Sequence, residues 1–495
     1  CEGSGTFWGY IRYPWIQLDW DTSQNINKII LYDRASLKTH TAGGRLKFSD
    51  GSVISVNAMS NNGDAKVITF ESKQVDWVRF EVTDGVGLEL GLSEIEVFPS
   101  SKSYKDQISW VNPFTETTRG RYFYFTPGAL PFGMVATSPI TRNKNQYGGG
   151  YNYNSTEILG FSPIHGWMMS GIQMMPTTGI IDPTLGETHW KSRFSHDDEL
   201  AHPGYQRVYL KDYNTWVEYT GTTRASIFRM TYTQSDRASI LINLGGYLGS
   251  TTMSGSKSKV VNEHKIEGSF YSGGRLWGGP EKIKVFFVLE FSKSFESVSG
   301  WNEHGIERNI SQINGSDHMT RRDSMDYGVV VQSYWDAPTA GLMANYQVGA
   351  GDEILVKMAI SYTSIENAWE NLNVELDHWD FDLVQENAEY KWNEMLKRIE
   401  VVGGSDQQQM KFYTDLWHVL LGRKIINDVR GTYPDYTQGE RNWKFTKSDL
   451  KVRKLPMNKL GKPLFNMYNS DALWLTHWNL NVLWGLAWPE ILDDF

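Results

Sequence analysis

A chain of 495 residues is too long for one hydrophobic core, and at roughly 150 residues per domain it predicts about three domains. An apolar content of 40% with 14% aromatics excludes a disordered chain, and a net charge of −9 with no basic run longer than Arg321-Arg322 excludes a nucleic-acid backbone as partner. One cysteine, Cys1, excludes an intramolecular disulfide and any cysteine-based metal site, and there is no apolar run of about 18 residues to span a membrane.

Residues 1–99 alternate apolar and polar positions in short runs: WIQLDW, INKIILYDR, GRLKFSDG, VISVNAM, KVITFES, WVRFEVT and LSEIEVF. Period-two alternation broken by Asp-Gly and Asn-Gly turns predicts an antiparallel β-sandwich. The runs PWIQLDWD, INKIILYDR, LKFSDGS, VDWVRFEVT and GLSEIEVF resemble the discoidin-like (coagulation-factor C-type) module. That resemblance implies a galactose-binding-like β-sandwich, often a sugar- or surface-binding accessory of bacterial glycosidases. The module's usual first strand is missing, so the chain is expected to begin inside it. The start Cys1-Glu2-Gly3-Ser4 also fits, loosely, a lipidated bacterial N-terminus.

After the polar boundary Ser100–Tyr104, a second domain is expected over 106–358. From Trp110 to Gly179, proline and glycine recur between short β-branched and aromatic runs, which predicts strands and shaped loops. Within it, Gly148–Gly150 are flanked by Tyr147, Tyr151 and Tyr153. Free backbone geometry beside flat amphipathic rings suits a sugar, although tyrosines around glycines are equally ordinary in antiparallel sheets. The runs YNTWVEYTGTTRASIFRMTYT, ASILINLGG, KVFFVLEF and YGVVVQSYW extend the strand pattern. A long run of strands without helices predicts a second, larger sandwich.

At Ser364 the period changes, and a third region is expected over 364–495. SIENAWENL places Ile365, Ala368, Trp369 and Leu372 at helical spacing behind a serine N-cap, and DLVQENAEYKWNEMLKRI continues helically to Ile399. Another helix is expected from Ser405, with Met410, Tyr413, Trp417, Leu420 and Leu421 along one face. From here on, sheet is expected to have given way to helix. The last helix, from about Asp471, reads ALWLTHWNLNVLWGLAW, is apolar nearly all round, and is expected to be enclosed by protein. Steps of roughly 100° put Asp471, Trp474, His477, Trp478 and Asn481 within one arc. Such an arc either lines a cavity or bonds to neighbouring loops.

Ordered motifs resemble glycoside hydrolase family 92, the exo-acting α-mannosidases: Val111–Phe114 (VNPF), Pro127–Ala129 (PGA), Pro131–Val135 (PFGMV), Gly150–Tyr153 (GY-x-Y) and Gly160–His165 (GFS-x-x-H). WDFD at Trp379–Asp382, WNEMLKRIEV at Trp392–Val401 and FYTDLWHVLL at Phe412–Leu421 extend the resemblance into the helical region. It implies a multidomain β-then-α fold, in which a large antiparallel β-sandwich precedes an (α/α)6 barrel and sugar binds where sandwich loops cap the barrel. Only the barrel's first helices are visible, so Phe495 is expected to be an artificial end.

The resemblance also implies function: a calcium-dependent, inverting exo-α-mannosidase that trims mannose from glycans or glycoproteins, secreted, periplasmic or at the cell surface. The catalytic acid and base and the Ca2+ ligands are expected beyond residue 495. The residues carried over are substrate-binding. Tyr147 stands where the family has a pocket tryptophan, Gly149 and Gly150 admit close backbone approach, Tyr151 belongs to the same turn, and His165 keeps the second histidine of a GFS-H-x-H pattern. On the last helix, where many members read SLWDTFR, this chain has Leu475 for the sugar-binding aspartate and Trp478 for the arginine. Asp471, with Trp474, His477 and Trp478, is expected to face the pocket in compensation. The change also leaves open a different sugar or linkage, a related phosphorylase, or a non-catalytic glycan-binding protein.

Overall fold

The computed structural model describes residues 14–34, 36, 38–57, 59–61, 64–87, 90–99, 106–118, 125–141, 150–165, 169, 171–248, 251–273, 280–315, 320–326, 329–336, 340–441, 446–447, 449–469 and 476–495. They fall into two compact units, Cys1–Asp106 and Gln107–Phe495.

The first unit is a five-stranded antiparallel sheet of β1 (Trp15–Asp33), β2 (His40–Phe48), β3 (Val53–Val56), β4 (Ala65–Val86) and β5 (Leu92–Pro99), in the order β3-β2-β4-β1-β5. The two long strands pair in segments, with the register shifting between Asp19 and Gln24 and between Ile26 and Lys28. Bulges of this kind bend a strand and increase its twist, which lets one sheet curve about its own core. That core is Ile26, Ile29, Leu31, Leu46, Phe48, Val78 and Phe80, each 1% exposed or less. These are the apolar members of the alternating runs.

The second unit opens with two antiparallel sheets. The larger has ten strands, with Ala225–Tyr232, Glu353–Ser361 and Lys282–Phe291 adjacent at its centre. The smaller has seven, centred on Gly341–Val348, Asp236–Asn243 and Gln173–Thr178. Phe228, Met230, Phe287 and Met358 of the first meet Ile240, Ile242, Leu342 and Met174 of the second in one core. The alternate residues of the central strands, Ala225, Ile227, Val288 and Ala359, face away from that core. They are buried as well, against Ala368, Leu372, Phe381 and Val384 of the following helices. Burial on both faces explains why KVFFVLEF and EILVKMAIS run apolar instead of alternating.

The helices begin where the period changes. Ser364 caps Ile365–Glu375 by accepting from Asn367 N, and Asp380 caps Phe381–Leu396 through Leu383 N. Ser405 caps Asp406–Val419 in a reciprocal capping box with Gln408. Two expectations need correction. Sheet does return after Val419, as the pairs Thr432–Asp435 with Lys451–Lys454 and Glu440–Arg441 with Thr446–Lys447. Gly431 and Gly461 at positive φ, with Pro434, Pro456 and Pro463, break any helix through this stretch. Among the described residues of the last helix, a turn at His477–Asn479 precedes the regular segment Leu480–Ala487, and that segment is not enclosed. Trp478 is 74% exposed, Val482 58% and Leu486 79%, because only the opposite side, with Trp484 and Trp488, packs into the core.

Candidate functional site

The loop after the first helical turn of the second unit carries the PFGMV motif and touches both layers. Phe132 N donates to Leu420 O (2.9 Å) and Ile425 N donates to Phe132 O (2.8 Å), so this sandwich loop is laced to the segment that follows helix Asp406–Val419. Ala129, Phe132 and Ala136 share a core with Trp392, Trp417, Leu420, Ile425 and Tyr468. Trp392 fixes the contact further by donating its indole N–H to Ala129 O at 2.8 Å.

His165 sits at this junction. Ser162 Oγ accepts from Ile164 N (3.1 Å) and turns the chain at the end of strand Gly160–Ser162. The imidazole that follows is buried and donates from Nδ1 to Ala136 O at 3.2 Å. A carbonyl only accepts, so Nδ1 carries the proton and Nε2 presents a lone pair. Among the described residues no donor meets that lone pair. Burial, with the Lys424 ammonium adding repulsion, holds the ring's pKa down at about 3, so it is neutral at physiological pH. Gly150 lies against the same nitrogen. Its φ is +79°, and a Cβ there would stand 2.5 Å from His165 Nε2, so the position excludes every side chain. Of the residues singled out by sequence, Gly150 and His165 are thus in contact.

Tyr151 corrects the expectation of a sugar-facing ring. It is 1% exposed, its face lies 4.0 Å from the Phe125 ring, and its hydroxyl donates to Glu199 Oε2 at 2.8 Å. Glu199, whose side chain is fully buried, also accepts from Gln206 Nε2 (2.5 Å) and lies 2.6 Å from His196 Nδ1. His196 Nε2 donates to Tyr153 O (2.6 Å), and the Tyr153 ring stacks on the imidazole at 3.9 Å. One proton must therefore lie between His196 and Glu199. Burial pushes the Glu199 carboxyl up, against the hydrogen bonds from His196, Tyr151 and Gln206. This network braces the GY-x-Y turn from behind.

His477 and Trp478 lie against each other, ring centroids 4.8 Å apart, and both are exposed. Tyr147, Gly149, Asp471 and Trp474 fall outside the described residues, as does Leu475. Burial pushes the Lys424 ammonium down to about 7. Among the described residues no group of three or more His, Cys, Asp or Glu side chains is placed to hold a metal ion. No helix of the described residues is long and apolar enough to cross a membrane.

Residues 110–361 match the glycosyl hydrolase family 92 N-terminal domain, and residues 367–495 match the family's catalytic domain. The chain belongs to glycosyl hydrolase family 92. Residues 12–98 match a domain of unknown function, DUF7402. Among solved structures, this family 92 chain is similar to the family 92 α-mannosidase BT3965 of Bacteroides thetaiotaomicron, with a TM-score of 0.63 and 26% identity over 79% of this chain and 48% of that one. The inverting mannosidase BT2199 of the same species shares the fold at a TM-score of 0.63 and 21% identity, over 80% of this chain and 48% of that one. An uncharacterized secreted glycosidase of Arthroderma benhamiae is 22% identical over 340 residues, 64% of this chain and 41% of that protein. The chain spans about half the length, or less, of the relatives it matches.

Proposed function

We propose that this family 92 chain is part of an exo-α-mannosidase that removes terminal mannose from glycans outside the cytoplasm, by an inverting and calcium-dependent reaction. The observation that carries this reading is the match of both family domains in order, together with the likeness to the α-mannosidase BT3965. The Gly150–His165 contact, built by two of the family motifs, supports it at the level of residues. The residues described here do three things in such a site. Gly150 keeps the backbone open beside the imidazole, His165 offers a fixed acceptor, and the network of Tyr151, Glu199 and His196 holds the turn rigid. The acid that protonates the leaving oxygen and the base that activates water are assigned to no residue of this chain. Calcium dependence is part of the same proposal, with its ligands outside the described set. The first unit, by its resemblance to discoidin-like modules, is proposed to bind glycan or surface. The secreted relative supports an extracytoplasmic location.

The test is release of mannose from aryl α-mannosides and high-mannose glycans by the full-length protein. Activity should be lost in EDTA and restored by Ca2+, with β-mannose as the first product seen by NMR. Failure to release mannose from every α-linked substrate would sink the reading, and α-mannose as first product would sink inversion.

A further inference from the structure

The turn over residues 150–153 is pinned differently at its two ends. At the first, Thr141 N donates to Gly150 O (3.0 Å) and Asn152 N donates to Thr141 Oγ1 (2.7 Å). At the second, the holding groups are His196 and Glu199. His196 Nε2 lies 2.6 Å from Tyr153 O, and His196 Nδ1 lies 2.6 Å from Glu199 Oε2, the oxygen that also accepts from the Tyr151 hydroxyl at 2.8 Å. The rings of Tyr153, Phe194 and Phe114 stand around the imidazole at 3.9, 5.3 and 6.3 Å, leaving its side chain 29% exposed beside the fully buried carboxylate.

These contacts fix a proton count. A carbonyl oxygen has no proton to give, so Nε2 must carry one, and a second must lie between Nδ1 and Glu199 Oε2. The pair therefore holds two protons, either as imidazolium with carboxylate or as neutral imidazole with carboxylic acid. With one proton removed, the imidazole has a single N–H for two acceptors, and either Tyr153 O or Glu199 loses its bond. The other groups facing the pair are committed. Gln206 donates to Glu199 Oε1 at 2.5 Å and accepts from the Tyr219 hydroxyl, and burial raises the Tyr151 and Tyr219 hydroxyls, so both stay protonated. On the imidazole's own turn, Asp197 accepts from Ser195 Oγ and Asp198 pairs with Lys211. We propose that His196 and Glu199 are positioning residues of the sugar site, which hold the GY-x-Y turn in its binding position only while the pair carries both protons. This rests on the reading of that turn as a wall of the site, and it makes sugar binding loosen as pH rises. Burial, which pushes the Glu199 carboxyl up, favours keeping the second proton. An unfolded histidine gives up its proton at about pH 6.5. A folded pair that keeps the proton longer adds stability that is full below that pH and is lost as pH rises through the pair's own titration.

The test compares the full-length protein with its Glu199→Gln variant. The carboxamide accepts from Gln206 and donates both to the lone pair of a neutral His196 and to the Tyr151 oxygen, so it closes the same network with no proton to lose. Hydrogen exchange over residues 150–155, read by mass spectrometry and corrected for its intrinsic rise with pH, should quicken about threefold or more between about pH 6 and 9 in the wild type and stay flat in the variant. Over the same range KM for an aryl α-mannoside should rise about threefold or more in the wild type alone, with kcat following one profile in both proteins. Were the pair merely structural, Glu199→Gln would lower the melting temperature by one amount at every pH and leave the KM profile as it is. If wild-type exchange stays flat with pH, the clamp is overturned, whether or not mannosides are cleaved. If exchange responds and KM does not, the positioning role is overturned while mannoside hydrolysis stands. If exchange responds in the wild type alone and no α-mannoside is cleaved, the clamp stands and the mannosidase reading falls. Should Glu199→Gln fail to fold, the exchange profile of the wild type decides.

Discussion

Gly150 binds two constraints into one position, a positive φ and a neighbour with no room to move. Substitution by alanine adds a Cβ 2.5 Å from His165 Nε2, and the imidazole is itself fixed by Ala136 O. Left-handed backbone costs about 1–2 kcal/mol for a side-chain-bearing residue, and overpacking adds about 1–3 kcal/mol. Gly150→Ala should therefore lower stability by about 2–5 kcal/mol in urea melts. Gly51→Ala is the control, since Gly51 has φ +83° but nothing within 4 Å of the added carbon, and it should cost only the backbone part. Equal losses in the two variants would show that the imidazole yields. This contact was legible because both residues sit in ordered family motifs. The direction of Tyr151 was not. Its ring could serve a sugar or a core, and the choice is made by Glu199, a residue 48 positions on whose approach depends on strand pairing.

Between elements, the sheet and helices are joined by polar staples that carry no local signature. Arg224, in the turn before strand Ala225–Tyr232, donates from Nη1 to Glu375 Oε1 (2.7 Å) and from Nε to Asn427 O (2.6 Å), while its own backbone N–H reaches Glu375 Oε2 at 2.7 Å. One side chain thus ties the sheet to the helix Ile365–Glu375 and to the segment after Leu421. Asp428, next to it, accepts from Ser361, Thr363, Thr432 and Asn371 and closes the same corner. Both partners of the Arg224–Glu375 pair are nearly buried, with side chains 10% and 13% exposed. Removing one member leaves the other charge stranded, so Arg224→Met should cost about 3–5 kcal/mol. The double variant Arg224→Met/Glu375→Leu should cost less than the sum of the two single variants. Strict additivity in that cycle would mean the pair is solvated and holds nothing together. Two helix starts were legible here because Ser364 and Ser405 are local caps, whereas the break before Phe381–Leu396, capped by Asp380, was read as continuous helix. The return to strand after Val419 was not legible, because a hairpin's pairing is set by its partner more than by its own period.

Over the whole molecule, the apolar pattern tells how much of the chain is buried but not which face of an all-apolar helix is. In Leu480–Ala487 nearly every residue is apolar, so sequence predicted enclosure. Trp484 and Trp488 take the core side, at 1% and 0% exposure, while Val482 and Leu486, one turn apart, stand in solvent with Trp478 beyond them. Val482 and Leu486, 58% and 79% exposed and four residues apart, share one face of the helix, and exposed apolar faces are sticky. The net charge of −9 opposes association of whole molecules, but it does not mask a local patch within the screening length at ordinary salt. The 495-residue chain should therefore bind a hydrophobic dye such as ANS while fully folded. Val482→Lys with Leu486→Lys should cut that fluorescence by roughly half or more and leave far-UV circular dichroism and the melting temperature unchanged, because neither side chain packs in the core. Undiminished dye binding in the folded double variant would place the sticky surface elsewhere on the chain.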